Sequence, residues 1–497
     1  MLLGSLQVQS PPTPLRKGWI LGLTCLAQFM VILDVSVVNV ALPSIRTDLG
    51  FSAVDLQWIV NAYTLTFAGF LLLGGRAADL LGRQQVFAAG LVLFAAASLV
   101  GGLSNSQGML IAARAVQGVG GAVVAPATLA IIATTFAEGQ DRNRALAYWG
   151  AMGAVGGSTG VLLGGVLTEL LGWQWILFIN IPVGVFGALG ALHFIPRSTV
   201  TAPGERHFDV AGALSVTAGL ILLTFAIVRT DVNGWGSPET LVVAAAGLAL
   251  LVVFVFIERH ARRPLVPLRI FRSRTLTAAN AVVFTLGASV FAMWYFVSLY
   301  LQQVLGFSPI QAGLSFVPMT GAIIVSSTFA GRLAARLGPG RLLAVGMTFI
   351  GIGMLLFTRI SPTGSYATDV LVPGVITTTG IGLAFVPATI TAVAGVARSD
   401  AGLAGGLVNT ARQVGGSLGL AVLATVATER TNALAGPGGV DAAALTGGFH
   451  RAFLVGALIA LAGAGVAAAL LVRVPHPRAE PQKITEPAVG AAVSSER

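Results

Sequence analysis

The stretch Trp19–Leu42, WILGLTCLAQFMVILDVSVVNVAL, contains a single charged side chain, Asp34, among residues that are otherwise apolar or weakly polar. A helix needs roughly 20 apolar residues to cross the hydrocarbon core of a bilayer. The stretch therefore predicts a transmembrane helix with one carboxylate buried inside it.

The composition of the whole chain indicates a membrane protein. Of its 497 residues, 55% are hydrophobic and only 10% are charged, and 63 are glycine. A soluble core could not bury so much apolar surface, whereas glycine is common where membrane helices pack backbone to backbone. The net charge of +10 would suggest a nucleic-acid partner for a soluble protein. Here the charges lie in short loops between apolar runs, so we expect no such partner.

Apolar runs long enough to cross a bilayer recur along the chain. We count fourteen of them, which makes the predicted class an all-α membrane protein. The runs lie near residues 19–42, 56–74, 85–103, 108–134, 145–170, 175–195, 210–228, 239–257, 276–301, 311–335, 341–358, 368–396, 401–427 and 451–472.

The distribution of basic residues predicts the orientation of these spans. With the N-terminus placed in the cytoplasm, 22 of the 29 Lys and Arg residues fall on the cytoplasmic side and five on the outer side. The remaining two, Arg114 and Arg412, fall inside spans. Cytoplasmic loops of membrane proteins carry such an excess, so we expect both termini to be cytoplasmic.

An internal repeat divides the predicted spans into two halves. The segment Gly75–Arg83, GRAADLLGR, follows the second span, and Gly331–Gly338, GRLAARLG, follows the tenth, 256 residues later. The chain thus reads as two six-helix bundles in the same orientation, an arrangement that supports alternating access. We expect the following division: tail 1–16, N-terminal bundle 17–195, linker 196–275 with two extra spans, C-terminal bundle 276–472 and tail 473–497.

Asp34 is the first candidate functional residue. A charge inside a span costs about 2.5–3.5 kcal/mol on insertion scales, so it needs a partner or a role. A carboxylate in a low dielectric holds its proton more readily than one in water, and it could exchange that proton for a cationic substrate. The repeat-related position is Val290, which favours a function over a purely architectural group. The alternative is a structural carboxylate that is hydrogen-bonded to a neighbouring helix.

Arg114 is the second intramembrane charge. It shares one helix face with Gln117, Gly118 and Gly121, because these residues follow i, i+3, i+4, i+7 spacing. Its guanidinium could tune a nearby carboxylate, or it could only brace the helix through backbone carbonyls. The sequence does not show whether it reaches Asp34.

Two further groups of residues suggest moving parts. Gly75, Asp79, Gly82 and Arg83 form a tight turn in which an acid–base pair could gate the cytoplasmic side, or serve only as a topology anchor. Gly156, Gly160, Gly164 and Gly165 lie near one face of the fifth span, and a similar glycine face occurs in the thirteenth. Close helix contact explains most of these glycines individually. Their recurrence in both halves favours an interface between the bundles.

Polar and aromatic residues within the spans are candidates for lining a substrate cavity. Rings combined with an acid would suit lipophilic cations. Some of the aromatic residues could instead belong to the interfacial belt. The candidates are Asn39, Tyr63, Gln117, Tyr295, Asn409 and Gln413.

These motifs resemble those of one family, the fourteen-span drug:proton antiporters of the major facilitator superfamily. The resemblance is carried by Leu33–Ile45, Gly75–Arg83, Arg114–Gly118, Trp173–Pro182 and Asn409–Gly416, and it covers nearly the whole chain. It implies the major-facilitator fold with two extra spans, a fourth-span arginine that takes part in proton transfer, and an exporter motif in the fifth span.

The sequence departs from that family at two positions. Val161 follows Gly160 where the exporter motif normally has a proline, which predicts a weaker kink in the fifth span. Gln174 stands where the family usually has a basic residue, so a local charge pair is expected to be missing.

The sequence leads us to expect a proton-coupled exporter of lipophilic, cationic drugs or toxic compounds, in which Asp34 binds the proton or cation. We expect no enzymatic activity, metal or cofactor, because the chain has no phosphate loop, paired catalytic carboxylates or clustered histidines. The proton gradient would supply the energy. We expect a monomer in the plasma (inner) membrane whose partners are protons, lipid and a small lipophilic substrate. Two alternatives remain open: an exporter of lipids or an endogenous metabolite, and a membrane sensor that does not transport.

Overall fold

The computed structural model describes residues 14–137, 139–197, 209–261, 264–394, 396 and 400–472. Within these ranges it leaves out the side chains of Pro14, Asp79, Asn143, Ala154, Ser158, Asp231, Val232 and Ala401. The predicted tails, apart from residues 14–16, and part of the predicted linker therefore lie outside the described residues.

The described chain is built from sixteen α-helices joined by short turns. They are α1 (Pro14–Leu49), α2 (Trp58–Leu81), α3 (Arg83–Gly102), α4 (Gln107–Thr135), α5 (Gln140–Leu170), α6 (Trp175–Phe178), α7 (Asn180–Phe194), α8 (Val210–Asn233), α9 (Pro238–His260), α10 (Arg274–Leu299), α11 (Pro309–Ser315), α12 (Val317–Leu337), α13 (Pro339–Phe357), α14 (Val372–Ala394), α15 (Ala401–Leu434) and α16 (Ala442–Leu470). One π-helical turn, Tyr300–Val304, continues α10, and another, Tyr366–Leu371, precedes α14.

Serine and aspartate side chains begin many of these helices. Ser106, Ser237 and Ser273 each accept a hydrogen bond from the backbone N–H three residues later, and Asp441 does the same for α16. Ser308 forms a complete capping box with Gln311. Such caps satisfy N–H groups that have no partner within the helix, which matters most where no water is present.

Thirteen helical segments of the described residues are long and apolar enough to cross a membrane. The chain is therefore a multi-pass membrane protein. The number of these segments is one fewer than the fourteen spans expected. The expected span at 401–427 is indeed helical, because it belongs to the 34-residue α15. The polar side chains of Asn409, Arg412 and Gln413 lower the apolar character of α15, which is not among the thirteen segments. At 1.5 Å per residue it is about 51 Å long, which exceeds the thickness of a bilayer core.

The internal repeat is visible in the helix boundaries. Helices α2 and α12 end 256 residues apart, and so do the two glycines that follow them. Gly82 and Gly338 adopt φ angles of 102° and 93°, in the left-handed region that suits a residue without a side chain. The same turn thus reverses the chain in both halves.

Helix packing follows the repeat as well. In the first half α1 packs on α5, α2 on α4, and α3 on α4 and α7. In the second half α10 packs on α15, α12 on α14, and α13 on α14 and α16. The halves meet where α5 contacts α11 and where α2 contacts α15, two contacts related by the repeat.

The extra pair of helices, α8 and α9, lies at one of these junctions. Helix α8 packs against both α2 and α15, and α9 packs against α8. The α8–α9 contact is close because Gly219 and Gly247 face each other, and a Cβ on either would meet the other's carbonyl oxygen at 3.0 Å. Helix α8 therefore bridges the two halves, while α9 remains at the periphery.

Candidate functional site

Asp34 and Arg114 form a buried ion pair within the first half. Arg114 Nη1 lies 2.5 Å from Asp34 Oδ2, and the two side chains are 2% and 0% exposed. The pair joins the middle of α1 to α4. The question that the sequence left open is thus answered in this structure: the two intramembrane charges are in direct contact.

Two amides complete the surroundings of the carboxylate. Gln117 Nε2 donates to Asp34 Oδ1 at 3.1 Å, and Asn180 Nδ2 donates to the same oxygen at 2.8 Å. Gln117 Nε2 also donates to Ser98 Oγ at 2.6 Å. Asp34 is therefore held by three side chains from two other helices, α4 and α7, and α3 supports one of them.

The guanidinium of Arg114 is held just as fully. Its Nε donates to the Ile59 carbonyl at 3.1 Å and its Nη1 to Gln117 Oε1 at 2.8 Å. Its Cζ lies 4.5 Å from the centroid of the Tyr63 ring, which is a cation–π distance. Breaking a buried pair of this kind by removing one partner typically costs about 3–5 kcal/mol, because a charge stays behind in a low dielectric. Loss or neutralisation of either charge must therefore be compensated elsewhere.

Glycines of α5 bring this helix against the part of α1 that carries Asp34. A Cβ on Gly156 would meet the Phe29 carbonyl oxygen at 2.8 Å, and one on Gly160 would meet the Leu33 carbonyl oxygen at 2.8 Å. Gly164 faces the Val37 carbonyl in the same way. These three glycines pack within the first half, so the expectation that they form the interface between the bundles is wrong for them. Their role is to let α5 support the backbone of α1 beside the ion pair.

Gly165 is the member of this group that does face the other half. A Cβ on it would meet the carbonyl of Pro309, the first residue of α11. Helix α5 has no proline and runs unbroken from Gln140 to Leu170, and the weaker kink expected from Val161 stays a prediction.

The candidate cavity residues separate into two groups. Tyr63 and Gln117 are 1% and 0% exposed and belong to the buried network around Asp34. Tyr295 lines a cavity of about 310 Å³ together with Arg46, Phe296 and Phe449. The cavity lies near the end of α1, and the Tyr295 hydroxyl is 3.5 Å from the Ala53 carbonyl.

The other candidates lie on α1 and α15 and take no part in the hydrogen bonds described above for Asp34 and Arg114. Asn39 donates to the Val35 carbonyl of its own helix at 3.1 Å. Asn409 accepts a hydrogen bond from Arg412 at 3.2 Å, and Gln413 is 4% exposed. The structure therefore does not gather all the candidates at one site.

The candidate gating residues lie at the turn between α2 and α3. Gly75 faces Pro126 of α4, since a Cβ there would contact the proline ring at 3.5 Å. Gly82 forms the turn and Arg83 begins α3. The side chain of Asp79 lies outside the described residues, so the expected acid–base pair stays a prediction.

Asn180 and Ser98 are the two members of the network that sequence reasoning did not select. Asn180 lies in the motif Trp173–Pro182, where an amide directly before an apolar helix was a usable signal. Ser98 is an ordinary residue of an apolar helix, and nothing in the sequence around it indicated a part in this network. At the other end of this motif, Gln174 Nε2 lies 3.5 Å from Asp48 Oδ2, where a basic residue would form an ion pair.

A fold of two repeated helical bundles with a buried charge network in one of them is typical of secondary transporters. The family model for the Major Facilitator Superfamily matches residues 24–420. The chain therefore belongs to the Major Facilitator Superfamily.

Several relatives with curated names match most of the chain. A cephamycin export protein of Amycolatopsis lactamdurans is 43% identical over 83% of this chain and 85% of its own length. A puromycin resistance protein of Streptomyces alboniger is 40% identical over 90% of both. A tetracenomycin C resistance and export protein of Streptomyces glaucescens is 35% identical over 81% of this chain and 74% of its own.

Solved structures agree on the fold. A POT family peptide transporter superposes with a TM-score of 0.67 at 15% identity and covers 94% of this chain and 99% of its own. A bacterial homologue of the human lysosomal transporter Spinster gives a TM-score of 0.61 at 16% identity, over 92% and 97%. At these identities the likeness shows the shared architecture alone.

Proposed function

We propose that this protein is a proton-coupled antiporter that exports lipophilic drugs or antibiotics from the cell. The observation that supports this function best is the ion pair between Asp34 and Arg114, buried inside a transporter fold whose relatives are named for antibiotic export or resistance. We place the protein in the plasma (inner) membrane with both termini in the cytoplasm, in keeping with the distribution of basic residues.

Asp34 is the proposed proton carrier. When it is ionised, its charge is balanced by Arg114 and by two amide donors, Gln117 and Asn180. When it takes up a proton it loses its attraction to the guanidinium, which then has only the Ile59 carbonyl, Gln117 Oε1 and the Tyr63 ring as partners. Proton uptake therefore weakens the connection between α1 and α4.

A substrate cation has no open route to Asp34 in this arrangement, because the carboxylate is 0% exposed and bonded to side chains of α4 and α7. We therefore assign Asp34 to the proton rather than to the substrate. Proton and substrate would compete through the conformation of α1 and not for a common site. The charge of the substrate is then not defined by Asp34.

Contacts between the halves support alternating access. Ser298 and Gln302 of the second half donate to the carbonyls of Asn39 and Val40 on α1, at 2.7 and 3.0 Å. Ile310 N donates to Glu169 of α5 at 2.9 Å. These contacts lie at the end where α1 ends, which the proposed topology places outside. Export of a substrate to that side requires these contacts between the halves to open.

Efflux from proteoliposomes with an imposed pH gradient tests the proposal. The wild type should expel ethidium and other lipophilic dyes in a gradient-dependent manner, and Asp34→Asn should abolish that dependence. Asp55→Asn is the matched control, because Asp55 is a half-buried carboxylate whose side chain, among the described residues, bonds to Ser52 three positions earlier and not to the network around Asp34. It should transport like the wild type.

Two results would contradict the proposal. Gradient-driven efflux at the wild-type rate in Asp34→Asn would remove the proton-carrier role of this residue. Export of labelled lipids without any efflux of dyes or antibiotics would instead favour a lipid exporter on the same fold.

A further inference from the structure

Arg412 is a second arginine inside the helical bundle, and the proposed function gives it no role. It lies near the middle of α15, in the second half. Its Nη2 donates to Asn409 Oδ1 at 3.2 Å, and its Cζ lies 5.1 Å from the centroid of the Phe385 ring of α14. The side chain of Arg412 thus reaches from α15 to the neighbouring helix α14.

In contrast to Arg114, this guanidinium has no counter-charge in the part of the chain that the structure describes. Among the described residues, Arg412 has no carboxylate oxygen within 4.0 Å. Its Nε is buried and has no hydrogen-bond partner. A guanidinium carries five N–H donors, and a buried donor without a partner costs about 1–3 kcal/mol. The side chain therefore has unused capacity for an acceptor, and a negative one would also balance its charge.

The backbone on one side of Arg412 is fixed by tight packing. A Cβ on Gly287 of α10 would meet the Arg412 carbonyl, and one on Gly415 would meet the Phe284 carbonyl. The other side is open: nothing lies within 4 Å of a Cβ built on Gly402 or Gly405. Gly405 precedes Arg412 by seven residues, and Gly402 precedes Asn409 by seven, so each pair shares a helix face. The open face thus leads along α15 to the guanidinium.

We propose that Arg412, Asn409 and Phe385 form a subsite that binds the carboxylate or phosphate group of an amphipathic anion. Arginine presents a planar fork of donors that matches these two groups, and Nε is one prong of that fork. Asn409 orients the guanidinium, and the ring of Phe385, which is 40% exposed, provides an apolar surface for the body of the ligand. This proposal rests on the proposed export function and adds amphipathic anions to the lipophilic dyes named there as substrates.

A matched pair of probes tests the subsite by direct binding. The purified protein in phosphatidylcholine nanodiscs is titrated with pyrenebutyrate, which carries a carboxylate, and with pyrenebutanol, which does not. The wild type should prefer the carboxylate by about tenfold or more, the value of one charge-assisted hydrogen bond of about 1.5–3 kcal/mol. Arg412→Gln should lose this preference and bind pyrenebutanol as before. Arg412→Lys should retain part of the preference.

The controls separate the subsite from a structural role and from proton coupling. Arg430→Gln, at an exposed position of the same helix, should keep the wild-type preference. Asp34→Asn should also keep it, because binding does not need the proton gradient. Failure of the coupling mechanism and failure of the subsite therefore give different results. If Arg412→Gln does not fold, Arg412→Lys and Phe385→Leu carry the test.

Three outcomes would overturn the proposal. They are an unchanged preference in Arg412→Gln, an equal loss of binding of both probes in that variant, and a wild type that does not distinguish the two probes.

A further arm of the experiment identifies the source of the anion. In phosphatidylglycerol nanodiscs, a preference that falls at least about tenfold would show that a lipid phosphate occupies the subsite, since one tenfold step is about 1.4 kcal/mol. An unchanged preference would assign the subsite to the free carboxylate. Both results support the shared anion chemistry.

Discussion

The contact between Ser298 and Asn39 gives the most direct prediction about conformational change. Pro43 lies inside α1 and has no N–H, so the Asn39 carbonyl four residues earlier receives no hydrogen bond within the helix. Ser298 Oγ of the second half donates to this carbonyl at 2.7 Å, and Ser298 is 0% exposed. Ser298→Ala removes the bond and leaves the carbonyl buried without this donor whenever the halves are joined.

The size of the effect follows from the two states of that carbonyl. A hydrogen bond of this kind contributes about 0.5–1.5 kcal/mol, and an unsatisfied buried group costs about 1–3 kcal/mol. The penalty applies only while the halves are joined, since water reaches the carbonyl once they part. Gln302 Nε2 remains bonded to the neighbouring Val40 carbonyl, so the contact is weakened and not abolished. We expect a change of about 1–1.4 kcal/mol, which is a 5- to 10-fold shift towards the separated state.

The distance between a spin label near the end of α1 and one on the second half measures this shift. Thr47 and Thr363 are exposed residues of the two halves, and the single native cysteine, Cys25, is buried and can be replaced by alanine. Double electron–electron resonance on Thr47→Cys/Thr363→Cys should show a short and a long distance. Ser298→Ala should raise the ratio of the long to the short distance population by the stated factor.

Ser289→Ala is the matched control, because Ser289 lies on the same helix and is also 0% exposed. Its hydroxyl donates at 2.9 Å to the Gly456 carbonyl within the second half. It should lower thermal stability without changing the distance populations. The reasoning is refuted if Ser298→Ala leaves the populations unchanged, or if both variants shift them equally.

The glycines make two further predictions that thermal unfolding can check. Gly160→Ala should destabilise the protein by about 1–3 kcal/mol, because its Cβ would press on α1 at Ser36 and the Leu33 carbonyl. Gly338→Ala should cost about 1–2 kcal/mol, since its φ of 93° is unfavourable for alanine. Gly150→Ala serves as the control for both: nothing lies within 4 Å of its Cβ and alanine favours a helix, so stability should hold or rise. If Gly160→Ala or Gly338→Ala is as stable as the Gly150→Ala control, the argument for that glycine is contradicted.

Local sequence patterns were sufficient for the helices, their repeat and the two buried charges. Asp34 and Arg114 stand out against apolar neighbours, and a charge in a span must find a partner. The segments after α2 and α12 share their spacing, and the structure gives both the same glycine turn at Gly82 and Gly338. These features depend on residues close together in the chain.

Features that depend on how helices face one another were not predictable in the same way. The glycines of α5 could have faced either another helix of their own bundle or the opposite bundle, and packing alone decides that Gly160 faces α1 while Gly165 faces α11. Asn180 reaches Asp34 from 146 positions away. The position of this amide directly before an apolar helix was a usable signal, but the sequence did not show which side chain it would contact.

Helix α1 connects the proposed proton site to the contact between the halves. Asp34 and Asn39 are five residues apart, so about 7.5 Å of helix separates the ion pair from the carbonyl that Ser298 holds. One helix is therefore bound to α4 through a charge and to α10 through a hydrogen bond. Uptake of a proton by Asp34 would loosen the ion pair with Arg114 on α4 and would not itself break the hydrogen bond from Ser298 on α10. Because Gly156, Gly160 and Gly164 bring α5 against the backbone of α1, a displacement of α1 would carry α5 with it, and the contact of Gly165 with Pro309 would pass the movement to α11. We infer that proton uptake reaches the contact between the halves through α1 and α5 as one unit, so Gly160→Ala should also weaken the pH dependence of efflux.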